Sequence, residues 1–160
     1  MSKKSNDIVI TAALRTPIGT YKGSLKDLSA DKLGALTIKE AVYKSKLKPD
    51  DIDEVIMGHV LTSGLGQNPA RQASISAGIP VSKPAHIVNQ VCGSGLRSII
   101  TGYQTIKLRE NKIILAGGQE NMSQAPHAIF YREEKKLDEK KLIDTMINDG
   151  LIDSFNDYHM

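Results

Sequence analysis

Hydrophobic and polar positions change period several times along this chain. Asp7-Ile-Val-Ile-Thr-Ala-Ala13 is a β-branched run with polar borders, which predicts a buried strand. Thr16-Pro-Ile-Gly19 then predicts a turn. From Ser29 the period lengthens, and Leu33, Leu36, Ile38, Ala41, Val42 and Leu47 fall near one face of a helix. Ser29 stands where an N-cap belongs and Asp31 in the first turn. Lys44, Lys46 and Lys48 load the last turn before Pro49 stops it.

Ile52 to Leu61 reads as a second strand, followed by a glycine-rich loop. Asn68-Pro69 predicts an N-cap with proline at the first helical position, and the helix Ala70–Ala77 closes at Gly78 as an αL cap. His86 to Cys92 reads as a third strand running straight into Gly93-Ser-Gly95. The next helix carries Leu96, Ile99, Ile100, Tyr103 and Ile106 at helical spacing, and Lys112 to Gly117 predicts a fourth strand. Strand and helix alternate throughout, which predicts an α/β layered fold with a largely parallel sheet. After Gly118 the alternation stops. Residues 121–160 read as an excursion over the sheet, with a charge run from Arg132 to Lys141 and one helix around Leu137 to Asn148.

Composition sharpens this picture in three ways. The 160 residues suffice for one domain core, which must be aliphatic because aromatics are only 4% and Trp is absent. A net charge of +3, without a clustered basic face, argues against a nucleic-acid partner. A single cysteine rules out a disulfide within the chain and fits a reducing, cytoplasmic setting. No apolar run approaches the roughly 18 residues of a membrane span, and the short run from Ile8 to Leu14 lacks a signal-peptide pattern.

A lone cysteine is usually a small buried hydrophobe. Cys92, however, stands where a strand meets an amphipathic helix. There, unpaired N–H groups and the macrodipole favour a thiolate. Gly93 and Gly95 permit a sharp turn and close approach of a substrate. A nucleophile on a strand-to-helix turn is a recurrent device of acyl transfer, because the turn also offers N–H groups to an oxyanion. The other candidates read more plainly. His59 and His86 lie within predicted strands as structural residues, and His127 follows Pro126 in a loop. Met122 is ordinary core filler, with a pantetheine contact as the other reading. No metal-ligand spacing and no phosphate-binding glycine motif is present.

Asn89-Gln-Val-Cys92-Gly-Ser-Gly-Leu-Arg-Ser98 resembles the acyl-binding cysteine motif of thiolases. Four further stretches resemble the same family in the right order: Ile10 to Gly19, Gly64 to Gln72, Ala116 to Pro126 and Tyr158-His159-Met160. The resemblance implies a layered thiolase-like fold, with a mixed, mostly parallel sheet and helices on both faces. Residues 1–120 would form an incomplete N-terminal core and 121–160 the start of the loop domain, with the C-terminal half absent. It implies that Cys92 takes the acyl group from acyl-CoA and that His159 and Met160 contact the substrate. The match looks closest to the short-chain, acetyl-CoA acetyltransferase branch. Acetyl-CoA and acetoacetyl-CoA would then be substrates, with no resident cofactor, and the full-length enzyme would be a homo-oligomer, dimer or tetramer, without nucleic acid or membrane partners.

In that family a second half supplies the histidine that activates the nucleophile and a second cysteine that acts as acid and base. Neither is present in this sequence, so the expectation is a truncated, inactive chain. The alternatives are a non-catalytic assembly or binding module, a thiolase of longer-chain specificity, and a related condensing enzyme such as a ketoacyl synthase.

Overall fold

A computed structural model describes residues 7–132 and 142–160. Its centre is a three-stranded parallel sheet in the order β2-β1-β3, built from β1 (Glu54–Gly58), β2 (Ala85–Val88) and β3 (Ile114–Gly118). β1 pairs Val55 with Ala85 on one side and with Leu115 on the other. It is therefore the strand buried from both directions, and its Val55, Ile56 and Met57 are almost wholly enclosed. Burial of side chains of this size stabilises by roughly 1.5–3 kcal/mol each.

Helices cover both faces of the sheet, and the two faces are built differently. On one, α1 (Ala30–Lys44) and α2 (Pro69–Ser76) close an aliphatic core. Ala35, Ile38 and Val42 meet Ala70, Ala73, Val55 and Met57 there. On the other lies α3 (Ser94–Lys107). Alternate β3 positions point to alternate faces. Leu115 packs on the aliphatic core, whereas a Cβ at Gly102 of α3 would meet Ile114 Cγ2 at 2.9 Å and Ala116 Cβ at 3.6 Å.

The hydrophobic stripe of α3 is not its buried side. Ser94, Ser98 and Gly102 are the buried residues, spaced one helical turn apart. Leu96, Ile99, Ile100 and Tyr103 are exposed, Leu96 to 65%. The reason is distance. Backbone approaches backbone here, and only small side chains fit between. Ser98 Oγ lies 2.7 Å from both the Gly95 and Gly117 carbonyls, tying the helix's first turn to β3.

Helix ends explain two further boundaries. α1 stops at Lys44 rather than running to Lys48, because Lys46 turns left-handed at φ +57. Lys46 N–H then bonds the Tyr43 carbonyl and Leu47 N–H the Val42 carbonyl, which satisfies the terminal acceptors. Gly78, at φ +91, closes α2 in the same way. At the other end of α2, Asn68 caps the helix through its side chain, which accepts from Arg71 N–H. Ser29 occupies the N-cap position of α1 but makes no side-chain capping bond.

Residues 8–13, within the run predicted as a buried strand, join no sheet among the described residues, and Val9 and Ile10 are 71% and 77% exposed. Strand propensity records a fit to a pleated, half-buried surface and does not supply the neighbour. Thr11 Oγ1 instead reaches Ser45 Oγ at 3.3 Å. Beyond β3, the short strands β4 (His127–Ala128) and β5 (Ile143–Asp144) pair antiparallel, and α4 (Thr145–Gly150) follows. Asp144 caps α4 by accepting from Met146 and Ile147 N–H. The helix expected around Leu137 to Asn148 is thus a six-residue helix starting at Thr145. Its expected opening at 137–141, like the charge run beyond Arg132, lies outside the described residues. Among the described residues no helix is long and apolar enough to cross a membrane.

Candidate functional site

β2 ends at Val88, four residues before Cys92, so the third strand is shorter than its sequence suggests. The intervening residues form a tight, self-bonded turn. Asn89 Oδ1 accepts from Val91 N–H at 2.9 Å, and the Gln90 carbonyl accepts from Gly93 N–H at 3.0 Å. The Ser94 hydroxyl closes the turn from inside. It accepts from Gln90 N–H at 2.9 Å and donates to the Val91 carbonyl at 2.5 Å. Arg97 Nε donates to Gln90 Oε1 at 2.7 Å, bracing the outside.

The left-handed residue of this turn is Val91, at φ +48. Gly93 sits at φ −81, in the ordinary helical region, so the two glycines do not supply the sharp bend expected of them. A β-branched residue with positive φ is a genuine outlier, and such strain persists only where the surroundings enforce it. The enforcement here is the hydrogen-bonding of Asn89, Gln90 and Ser94. Cys92 follows Val91 as a free, exposed thiol, two residues ahead of the first helical residue of α3.

Glycines set how close α3 stands to the sheet. A Cβ on Gly58, the last residue of β1, would fall 2.3 Å from the Ser94 carbonyl carbon and 2.4 Å from Gly95 N. A Cβ on Gly118, the last residue of β3, would fall 3.4 Å from Gly95 Cα. The helix start after Cys92 therefore rests on the carboxyl ends of two strands. Sequence reading missed Gly58, Gly118, Ser94 and Ser98 as parts of this arrangement. The only available signal was a glycine closing each of two strands.

The other sequence candidates are dispersed. His159 and Met160 are exposed and lie in a loop held by the bond from Met160 N–H to the Leu151 carbonyl. His159 Nδ1 is 2.8 Å from its neighbour's own carbonyl, that of Met160. Among the described residues, no hydrogen bond or ion pair joins this loop to the Cys92 turn. His86 pairs with Glu54 at 2.9 Å, and Asn111 bonds the same carboxylate at 2.8 Å, at the amino-terminal end of the sheet. His127 lies in β4 rather than in a loop, 3.8 Å from Asp144. A cavity of about 500 Å³ is walled by residues 16–21 and 120–123 with Met146 and Leu151; Met122 lines it and Cys92 does not. No group of three or more metal-ligating side chains gathers among the described residues.

His59 is only 1% exposed and belongs to a cluster that no local pattern predicts. Its Nε2 lies 3.3 Å from Glu120 Oε1 and its Nδ1 3.3 Å from Gln119 Nε2. The Glu120 carboxylate also accepts from Val60 and Leu61 N–H, at 2.9 and 3.1 Å.

Comparison with known proteins gives a consistent result. A family model described as the thiolase N-terminal domain matches residues 8–160. An acetyl-CoA acetyltransferase of Paracoccus denitrificans is 49% identical over 152 residues, covering 95% of this chain and 39% of its own length. A cytosolic acetyl-CoA acetyltransferase of Rattus norvegicus is 46% identical, covering 100% of this chain and 40% of its own length. Among solved structures, a thiolase from Ascaris suum in complex with coenzyme A superposes with a TM-score of 0.89 at 41% identity, covering 94% of this chain and 39% of that one. The chain spans about 40% of the length of the relatives it matches.

Proposed function

Because this chain belongs to the thiolase family, we propose that it carries the acyl-accepting thiol of an acetyl-CoA acetyltransferase. Cys92 sulfur attacks the thioester carbonyl of acetyl-CoA, and CoA leaves with the thiol proton, giving an acetyl-cysteine. A second acetyl-CoA, deprotonated at its methyl carbon, attacks that thioester. Acetoacetyl-CoA forms and the Cys92 thiolate is released. Thiolysis runs the same steps backwards. This chemistry needs no resident cofactor, since acetyl-CoA enters as substrate.

The observation that carries the reading is the thiol's setting. Cys92 is solvent-open on a strained, fully braced turn that opens directly into a 14-residue helix. A helix start turns N–H groups and the positive end of the macrodipole toward developing negative charge, which suits an oxyanion there. The acid/base thiol of the family is not among these 160 residues, whose single cysteine is Cys92. Turnover by these residues alone is accordingly not expected, although acylation of the sulfur is.

The finer assignments rest on the resemblance of the sequence motifs to the family. His159 and Met160 are proposed as substrate contacts, with residues 1–120 as the core and 121–160 as the start of the loop domain. The outward apolar face of α3 supports self-association of the full-length protein. The cytosolic rat relative supports a cytoplasmic location.

Incubation with acetyl-CoA followed by intact-mass and peptide analysis tests the reading. One acetyl group is expected on Cys92 and none on a Cys92→Ser variant. A folded chain whose Cys92 takes neither acetyl-CoA nor iodoacetamide would overturn it.

A further inference from the structure

The buried cluster of His59, Gln119 and Glu120 has no part in the acyl-transfer steps above, yet it occupies the junction that supports them. His59 immediately follows Gly58, the residue in backbone contact with Ser94 and Gly95. Its own N–H bonds the Val88 carbonyl at 3.1 Å, joining the end of β1 to the end of β2 just before the Cys92 turn. Gln119 N–H bonds the Gly58 carbonyl at 3.0 Å, joining β1 to β3 at the same level. Beyond His59, the Glu120 carboxylate takes the N–H groups of Val60 and Leu61.

We propose that His59, through Glu120 and Gln119, is a positioning residue for the Cys92 turn, an inference that rests on Cys92 being the acyl acceptor. The imidazole accepts at Nδ1 from Gln119 Nε2 at 3.3 Å and sets Nε2, which makes no hydrogen bond, 3.3 Å from Glu120 Oε1. Packed against the carboxylate that takes the N–H groups of Val60 and Leu61, the imidazole bears on the backbone that leads back to Gly58. Gly58 has no side chain to absorb a shift, and its contact with Ser94 is backbone on backbone. A displacement at the strand end therefore passes directly to the residues that close the turn.

The enclosure is tight enough for such transmission. His59 Nε2 and Gln119 Oε1 are buried without a hydrogen bond, and Gln119 Oε1 lies against Gly34, where a Cβ would fall 2.0 Å from it. Buried polar groups packed this closely are costly to disturb, because a group that loses a partner bears its desolvation cost in full. Glu120 is 32% exposed at its side chain, so it is the member through which solvent reaches the cluster.

Amide hydrogen exchange on the whole 160-residue chain, read residue by residue by NMR, separates positioning from plain stability. In His59→Leu, exchange at Val60, Leu61, Gly93 and Ser94 is expected to rise about tenfold or more, while Met57 in the centre of the sheet keeps its protection. His59→Gln retains a donor and an acceptor and is expected to restore the protection at Gly93 and Ser94. Unchanged exchange at Gly93 and Ser94 in His59→Leu overturns the proposal, as does a rise shared equally by Met57. Should His59→Leu not fold, Glu120→Gln is read at the same amides with the same expectations. Iodoacetamide labelling of Cys92 in the unaltered chain is measured alongside. Failure to label sinks the acyl-acceptor reading, whereas normal labelling with unmoved exchange in the variants sinks only the positioning role.

Discussion

Gly58 at the end of β1 and Ser94 at the start of α3 are in backbone contact, so that a single added Cβ on Gly58 would sit 2.3 Å from the Ser94 carbonyl carbon. The helix that follows Cys92 is thereby seated on the sheet with no side chain between. Gly58→Ala is expected to destabilise by about 1–3 kcal/mol, the usual range for overfilling a packed site, because the obstacle is backbone and cannot rotate away. Gly118→Ala is expected to cost less, since its Cβ would lie 3.4 Å from the nearest atom. Urea denaturation of both variants checks the order. Equal losses, or a larger loss at Gly118, would show that the contact is not rigid.

The inverted face of α3 gives a second expectation. Leu96→Lys replaces an outward side chain and is expected to change stability by less than about 0.5 kcal/mol. Ser98→Leu pushes a branched side chain between helix and sheet and removes the hydroxyl beside the Gly95 and Gly117 carbonyls. It is expected to unfold the chain or cost about 1–3 kcal/mol. A helix packed by its hydrophobic stripe would give the opposite result, so thermal melts of the two variants decide the orientation.

Asp53 predicts an acid limb in the stability curve. The N–H groups of Lys112 and then Ile113, at 2.7 and 3.0 Å, hold its carboxyl below the ordinary aspartate value of 3.8. Burial opposes this less strongly than the two N–H groups favour it, and the charges of Lys83 and Lys112 add smaller lowering effects. A folded pKa below the unfolded one means the charged form is favoured by folding. The contribution is therefore present above the unfolded value and is lost as pH falls through the folded one. Asp53→Asn is expected to lower the urea midpoint at neutral pH and to converge with the parent as the carboxyl protonates. Parallel midpoints at every pH would exclude this contribution.

By itself the sequence determined the elements that depend on neighbours in the chain. The Asn68 cap, the left-handed Gly78, the alternation that produces a parallel sheet and the junction carrying Cys92 are all local matters of turn chemistry, capping and period. Tertiary structure alone decided what needs a partner from afar. Residues 8–13 have strand composition but join no sheet among the described residues, and α3 turns its apolar stripe outward because Gly58, Gly102 and Gly118 bring it too close to the sheet for anything larger than serine. Val91, rather than a glycine, takes the left-handed position because Asn89, Gln90 and Ser94 close around it. His59 and Glu120, 61 residues apart by number, meet only because two strands lie side by side. Propensity and period are properties of adjacent residues, whereas close packing and buried hydrogen bonding are set by which surfaces the fold brings together.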